Sequence, residues 1–260
     1  MGARRRLDAE LVRRGLVQSR GEAVEAVAGG RVLVNGAVAE KAARLVASGD
    51  AVTVSGPPAR FVGRGGEKLD AALDRFGVTV TGQRWLDVGA STGGFTDCLL
   101  GRGAAAVVAL DVGHGQLHPR IRDDPRVTVR ERTNVRTATI DTIGGPADGV
   151  VVDVSFISLR TIIPVLVALC QPGSPMVLLV KPQFEAGRAE VSRGRGVVTD
   201  PGVHERVRGE IDAALVAAGC RVEGWMDSPI RGGQGNRELL VHAVSPARAL
   251  GASHDPWMHR

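Results

Sequence analysis

Tyrosine is absent from this 260-residue chain, and lysine and cysteine each occur only three times. The cysteines, Cys98, Cys170 and Cys220, are scattered and form no CxxC or Cys/His cluster. That spacing excludes a disulfide framework and a zinc site, so no metal is expected. No window of about 18 consecutive apolar residues exists, which excludes a helical membrane span. The N-terminal stretch Met1-Gly2-Ala3-Arg4-Arg5-Arg6 is basic, but no apolar segment follows it, so no secretory signal is read there. A cytoplasmic protein is expected. Internal repeats are lacking as well.

Hydrophobic residues make up 43% of the chain, enough for a sizeable core, and the length suits one large domain with a small one. The net charge is +5, unevenly spread. Residues 1–60 carry ten Arg and Lys against six Asp and Glu, whereas the other 200 carry 23 against 22. A basic module on a near-neutral body suggests attachment to a polyanion, although a solvated surface on an arginine-rich protein gives the same count. Of the 33 basic residues only Lys41, Lys68 and Lys181 are lysine. With Ala and Gly abundant, this has the look of a GC-rich coding bias. A lysine retained against that bias marks a place where arginine would not serve.

Helical spacing of Leu7, Leu11, Val12 and Leu16 predicts a first helix. Ser19, with Glu22 three residues on, reads as a capping box for a second helix that runs to about Ala28 and ends at Gly29-Gly30. Residues 31–34, Asn35-Gly36 and residues 37–38 read as strand, tight turn and strand, and 50–55 as a further strand. Gly56-Pro57-Pro58 marks a linker. Beyond it, 67–76 is helical. Apolar strands at 84–88, 106–110, 126–130, 149–153 and 176–180 then alternate with helices at 94–102, 158–169 and 201–218. Two late strands, 221–226 and 238–244, lie close enough to pair antiparallel. The alternation predicts a mostly parallel sheet covered on both faces.

The two short helices leading into Gly30-Arg31-Val32-Leu33-Val34-Asn35-Gly36 resemble the S4 RNA-binding domain. The resemblance implies that arginines of this module contact RNA phosphates, and Arg4, Arg5, Arg6, Arg13, Arg14, Arg20 and Arg31 are available. Phosphate contacts position a protein without reading sequence, and their affinity falls with salt. A helical cap that merely packs on the larger domain is the alternative.

Leu86-Asp87-Val88-Gly89-Ala90-Ser91-Thr92-Gly93-Gly94-Phe95-Thr96 is a strand end, a glycine-rich turn and a helix start. Glycines there permit positive φ and close approach of a ligand to backbone N–H groups. The spacing is neither GxGxxG nor a P-loop. It resembles the first motif of class I methyltransferases, which implies that Asp87 and the turn from Gly89 through Ala90, Ser91, Thr92, Gly93 and Gly94 to Phe95 hold S-adenosylmethionine. An ordinary glycine-rich turn is the alternative. Asp111 ends the next strand, where a carboxylate can accept both ribose hydroxyls of a nucleoside. Asn134 follows the third strand and offers a donor and an acceptor to an adenine edge.

Asp153 ends the fourth strand in Val151-Val152-Asp153-Val154-Ser155-Phe156. Asp-Val-Ser-Phe is not the N/D-P-P-Y/F motif of many amino-group methyltransferases, which disfavours N-methylation of a base. Lys181 ends the fifth strand, Lys68 lies on the helix before the sheet, and Glu238 begins a late strand. Two of the three lysines can thus converge above the strand ends. A ribose hydroxyl is a poor nucleophile until its proton is accepted. Lysine can accept it if neighbours depress its pKa, whereas arginine effectively cannot deprotonate. Ordinary surface ion pairs are the alternative reading.

The order Lys68, Asp153, Lys181, Glu238 resembles the catalytic tetrad of FtsJ-type ribose 2′-O-methyltransferases. The chain to about Val244 is similar to the TlyA (haemolysin A-like) family through Arg6-Leu7-Asp8-Ala9-Glu10-Leu11-Val12-Arg13-Arg14-Gly15-Leu16, the glycine turn, Glu131-Arg132-Thr133-Asn134 and Lys181-Pro182-Gln183-Phe184-Glu185. The family implies methylation of cytidine 2′-hydroxyls in 16S and 23S rRNA, sensitivity to capreomycin-type drugs, and an interdomain linker at Arg60-Phe61-Val62, where members often carry Trp in place of Phe61. The expected fold is α/β: a class I (Rossmann-like) methyltransferase sheet with a small N-terminal S4-type domain. The expected limits are 1–58 for the RNA-binding domain, 59–65 for the linker, 66–248 for the methyltransferase domain and 249–260 for a tail. S-adenosylmethionine is the expected cofactor, ribosomal RNA or a ribosomal subunit the expected partner, and a monomer the expected state. A non-catalytic ribosome assembly factor and, on the family's name, a haemolysin are the rival readings.

Overall fold

The structure is a computed structural model that describes residues 4–17, 20–56, 60–187, 190, 194, 196–232 and 235–247. The expected cap at Ser19, the linker prolines Pro57 and Pro58, and the tail 249–260 lie outside the described residues. The chain divides into two compact units, Met1–Arg64 and Gly65–Arg260.

In the first unit, helices α1 (Leu7–Arg13) and α2 (Arg20–Ala28) precede strands β2 (Val32–Val34), β3 (Ala37–Val38) and β5 (Val52–Val54), which form an antiparallel sheet in the order β3-β2-β5. Asn35 (φ 53°) and Gly36 (φ 82°) make the β2–β3 turn in the left-handed region, as an Asn-Gly hairpin requires. Leu7, Leu11, Ala23, Ala26 and Val27 from the helices close over Val32, Val34 and Val52 from the sheet. A second, two-stranded ribbon pairs β1 (Arg5–Arg6) with β4 (Leu45–Val46). Its strands are two residues long and β1 is wholly charged, so neither apolar alternation nor β-propensity announces it.

The second unit carries a seven-stranded sheet of β6 (Arg84–Val88), β7 (Ala106–Leu110), β8 (Val127–Arg130), β9 (Gly149–Val152), β10 (Pro175–Val180), β11 (Arg221–Asp227) and β12 (Leu239–Val244). The order is β11-β12-β10-β9-β6-β7-β8. The pairs β10–β9, β9–β6, β6–β7 and β7–β8 are parallel, and β12 runs antiparallel to both β10 and β11. The expected late antiparallel pair is therefore present. Its second strand starts at Leu239, one residue later than expected, so Glu238 precedes the strand.

Strand alternation sends Leu86, Val88, Val108, Leu110, Val150 and Val152 to one face. There they meet Leu159, Ile162, Ile163 and Leu166 of α7 (Leu159–Leu169) and Val207, Ile211 and Leu215 of α9 (Pro201–Ala217). Against the other face lie α3 (Gly65–Phe76) and α4 (Gly94–Gly101), which contact each other. Trp85 on β6 is fully buried beside Gly149 on β9, and a Cβ on Gly149 would fall 2.5 Å from the indole. Short helices that the sequence pattern did not announce follow several strands: α5 (Pro119–Arg122), α6 (Ile140–Ile143) and α8 (Pro182–Glu185). Each is four residues long, too short for helical periodicity to register.

Candidate active site

The parallel strands direct their carboxyl ends to one edge of the sheet, where open α/β sheets place their ligands. A cavity of about 490 Å³ opens there, lined among others by Gly89, Ser91, Asp111, Asn134, Asp153 and Phe156. Its floor is the turn between β6 and α4. Gly89 has φ 84°, and a Cβ on it would lie 2.3 Å from the carbonyl oxygen of Asp153, so only glycine lets the turn pass this close to the end of β9. Gly93 (φ 98°) is the N-cap of α4 and sits against Leu117 and Ile121.

Among the described residues, three of the four non-glycine residues with positive φ, Ser91 (47°), Arg132 (54°) and Phe156 (65°), belong to this edge. Ser91 and Phe156 line the cavity, and Arg132 immediately precedes its wall residue Thr133. Strained backbone of this kind persists where surrounding structure over-determines it, and it concentrates at binding sites.

Asp111, just past β7, ties two loops together. Its Oδ2 accepts from Ser91 N at 2.8 Å and its Oδ1 from Gly113 N at 2.6 Å. Each oxygen can accept a further hydrogen bond, and Asp111 lines the cavity. Asn134 caps the short 3₁₀ turn Val135–Thr137 by accepting from Arg136 N at 3.0 Å. That bond engages its amide oxygen, so the Nδ2 donor is the group most available to a ligand.

Not all the residues expected at the cofactor line the cavity. Gly89, Ser91, Asp111, Asn134 and Asp153 do; Ala90 lines a small neighbouring cleft with Ala109 and Glu131. Asp87, Thr92, Gly93, Gly94 and Phe95 do not line the cavity: Thr92 is exposed to solvent, and the other four are buried. Asp87 is fully buried and accepts from Thr96 Oγ1 at 2.6 Å, which fastens α4 to β6; its Oδ1 has no hydrogen-bond partner among the described residues. Burial drives the Asp87 carboxyl up to about 7; the Thr96 bond opposes the rise and the charges of Asp153 and Asp111 add to it. Phe95 is buried against the start of α3, where a Cβ on Gly65 would stand 3.3 Å from its ring.

Beside the cavity are two lysine–carboxylate pairs. Lys181 Nζ, just past β10, lies 2.5 Å from Asp153 Oδ1 and donates to Ser155 Oγ at 3.1 Å. Lys68 Nζ on α3 donates to Glu238 Oε2 at 2.6 Å, and both side chains are buried. The pairs adjoin each other. Val180 on β10 faces Leu239 on β12, so the next residues outward, Lys181 and Glu238, end neighbouring strands. A Cβ on Gly65, one helical turn before Lys68, would be 3.7 Å from Asp153 Oδ2. Asp153 belongs to both features, because it lines the cavity and pairs with Lys181.

Sequence reasoning missed the apolar rim. Phe156 is 91% exposed, and its ring lies 5.0 Å from that of Phe184, centroid to centroid. Its signal was an aromatic four residues past the end of β9 in a chain with only five Phe and three Trp. Glu185 was read only as part of a motif. It is buried, accepts from Ser158 Oγ at 2.5 Å and from Leu159 N at 2.7 Å, and so locks the loop after β10 to the loop after β9.

In the first unit, Arg4 and Arg5 are exposed, and Arg6, Arg13 and Arg20 form ion pairs with Asp8 or Glu10 while staying half or more exposed. Arg31 is half-buried. Arg14 turns inward: it pairs with Glu10 and donates to the carbonyls of Ala47, Ser48 and Asp50. Among the described residues, no group of three or more His, Cys, Asp or Glu is placed to hold a metal ion. No described helix is long and apolar enough to cross a membrane.

The family model for FtsJ-like methyltransferase matches residues 61–244, and that for the S4 domain matches residues 5–52. The chain is 48% identical over 242 residues to a protein of Mycobacterium tuberculosis named 16S/23S rRNA (cytidine-2′-O)-methyltransferase TlyA, covering 93% of this chain and 90% of that one. It is 38% identical over 240 residues to Hemolysin A of Brachyspira hyodysenteriae, covering 92% and 99%. A solved structure from Streptococcus thermophilus, provisionally named a hemolysin, superposes with a TM-score of 0.75 at 39% identity, covering 97% of this chain and 94% of that one.

Proposed function

The chain belongs to the TlyA (haemolysin A-like) family of FtsJ-like methyltransferases, and on that premise we propose that it transfers a methyl group from S-adenosylmethionine to a cytidine ribose 2′-oxygen in ribosomal RNA, with Lys68, Asp153, Lys181 and Glu238 as the reacting cluster. One observation carries the reading: a single carboxylate, Asp153, lines the nucleoside-sized cavity and pairs with Lys181. The donor's cavity and the base are thereby fixed to the same strand end.

The residues of the cavity fit an adenosyl group. Asp111 has lone pairs for ribose hydroxyls, Asn134 has a free amide donor for a ring nitrogen, and the Gly89 turn brings backbone close without a side chain in the way. When bound, S-adenosylmethionine supplies an electrophilic methyl group. The protein's own work is proton handling and alignment. Once Lys181 has released its own proton to solvent, its neutral Nζ takes the 2′-hydroxyl proton as that oxygen takes the methyl group, and Asp153 holds the ammonium that results. The Lys68–Glu238 pair keeps a second amine beside the first and fixes its orientation. Ser155 Oγ restrains Lys181 from the other side. The exposed ring of Phe156, set against the half-buried ring of Phe184, offers an apolar rim on which a nucleobase can stack, as unpaired bases do on aromatic side chains.

The first unit supplies the RNA-binding surface through its exposed arginines. The whole is a cytoplasmic enzyme that acts as a monomer on 16S rRNA, 23S rRNA or both, with domain limits at 1–58, 59–65 and 66–248. The test is transfer of a radiolabelled methyl group from S-adenosylmethionine to isolated 30S and 50S particles and to naked rRNA, followed by mapping of alkali-resistant linkages. Label at a cytidine ribose is expected. Absence of transfer to every substrate would instead favour a non-catalytic assembly factor.

A further inference from the structure

Two acidic side chains in the first unit are buried under the arginines expected to meet RNA. Asp8 is 2% exposed and Glu10 1%. Arg6 engages Asp8 through Nε and Nη2, and Arg20, from α2, reaches the same Oδ2 through its own Nη2 at 3.0 Å. Two guanidinium nitrogens from different segments are thus held within about 6 Å of each other by one oxygen. Arg13 engages Glu10 through Nε and Nη2. A guanidinium has five N–H donors in a rigid fork. Bonds through Nε and Nη2 leave the Nη1 amino group of Arg6 and of Arg13 directed away from its carboxylate, and both side chains are half-exposed. Arg14, by contrast, is held inward by three backbone carbonyls as well.

We propose that Asp8 and Glu10 are positioning residues for RNA: each is a buried anion that locks outward-facing arginines into a fixed array ready for phosphates. This rests on the reading of the first unit as an RNA-binding surface and adds to it a role for two acidic residues. The physical argument is a competition between two effects. Each carboxylate subtracts one charge from a surface that binds a polyanion, which should weaken binding. Yet an unbraced arginine must give up its rotamer freedom when it binds, and Arg6 and Arg20 repel each other unless an anion lies between them. A buried carboxylate with two guanidinium partners stays ionised, and the Asp8 carboxyl is held well below the usual range, first by its bond from Arg6. The array is therefore present before RNA arrives.

The two effects predict opposite signs for one substitution. Asp8→Asn keeps the side chain's shape and its acceptor for Ala9 N but removes the charge. With the full-length chain and a 16S rRNA transcript in filter binding across a KCl series, bracing predicts that Asp8→Asn binds about three- to tenfold more weakly. Binding equal to or tighter than wild type would overturn the proposal. Glu10→Gln, which frees Arg13 while Arg14 keeps its carbonyl contacts, should weaken binding by a smaller factor, and it carries the same test if Asp8→Asn does not fold in a thermal melt. Arg6→Ala and Arg20→Ala separate the two levels. If both bind as wild type does, the RNA-surface reading itself falls. If both weaken while Asp8→Asn tightens, only the bracing falls.

Discussion

Lys68 Nζ and Glu238 Oε2 meet at 2.6 Å across 170 residues of sequence, with both side chains buried. Removing one partner of such a pair strands the other charge in a low-dielectric site, at a cost of about 3–5 kcal/mol. Glu238→Gln and Lys68→Met are each expected to lower stability by that order in urea melts. The double variant Lys68→Met/Glu238→Leu is expected to recover most of the loss, because apolar replacement of a buried pair is close to neutral. All three should lose methyl transfer. A double variant that regains both stability and turnover would make the pair a structural feature only.

Lys181→Ala is expected to abolish transfer while S-adenosylmethionine binds within a few-fold of wild type by calorimetry, because Lys181 lies outside the cavity wall that Asp153 shares. Lys181→Arg should fail equally, since arginine keeps its proton at any working pH. The expected loss is about 10²–10⁴ in rate, the span of positioned acid–base catalysis. Turnover retained in the arginine variant would exclude proton acceptance at this position.

Much of this site was legible in the sequence because rarity and position coincided. Lys68 and Lys181 stand out among thirty arginines, and strand periodicity placed Asp153 and Lys181 at the strand ends where they lie. The motif's inner residues were less legible. Asp87 and Phe95 have the residue types of a binding turn, but strand alternation and helix packing direct them into the core, and a linear pattern does not say which members of a turn face the ligand. The rim at Phe156 was hidden for a different reason. Its left-handed backbone breaks the rule that bulky residues avoid positive φ, so no propensity argument could place it. The β1–β4 ribbon escaped because tertiary contacts, not the two residues of each strand, make it.

Phe156 combines a φ of 65° with 91% exposure, so its strain is not offset by burial. A non-glycine residue held in that region costs about 1–3 kcal/mol. Phe156→Gly relieves the strain and gives up a ring contact with Phe184 worth about 0.5–1.5 kcal/mol. Thermal stability is therefore expected to stay level or rise, while kcat/KM for RNA falls at least about tenfold through loss of the stacking surface. A variant that is destabilised but fully active would mean that the ring serves the fold.

Asp87 sets a pH dependence of stability. Burial raises its carboxyl to about 7 in the folded protein, whereas the unfolded chain titrates near 3.9. Between those values the folded state keeps a proton that the unfolded chain has released, so this group makes stability fall as pH rises from about 4 to about 7. Below the window both states are protonated, and above it the full penalty of a buried charge persists. Asp87→Asn is neutral throughout and keeps an acceptor for Thr96. Urea melts from pH 4.5 to 8 should show the variant gaining on wild type by roughly 2–4 kcal/mol across that interval, with the two nearest at the acid end. Parallel curves would mean that Asp87 is ionised in the folded protein at acid pH as well, with its buried Oδ1 solvated by a route the present contacts do not provide.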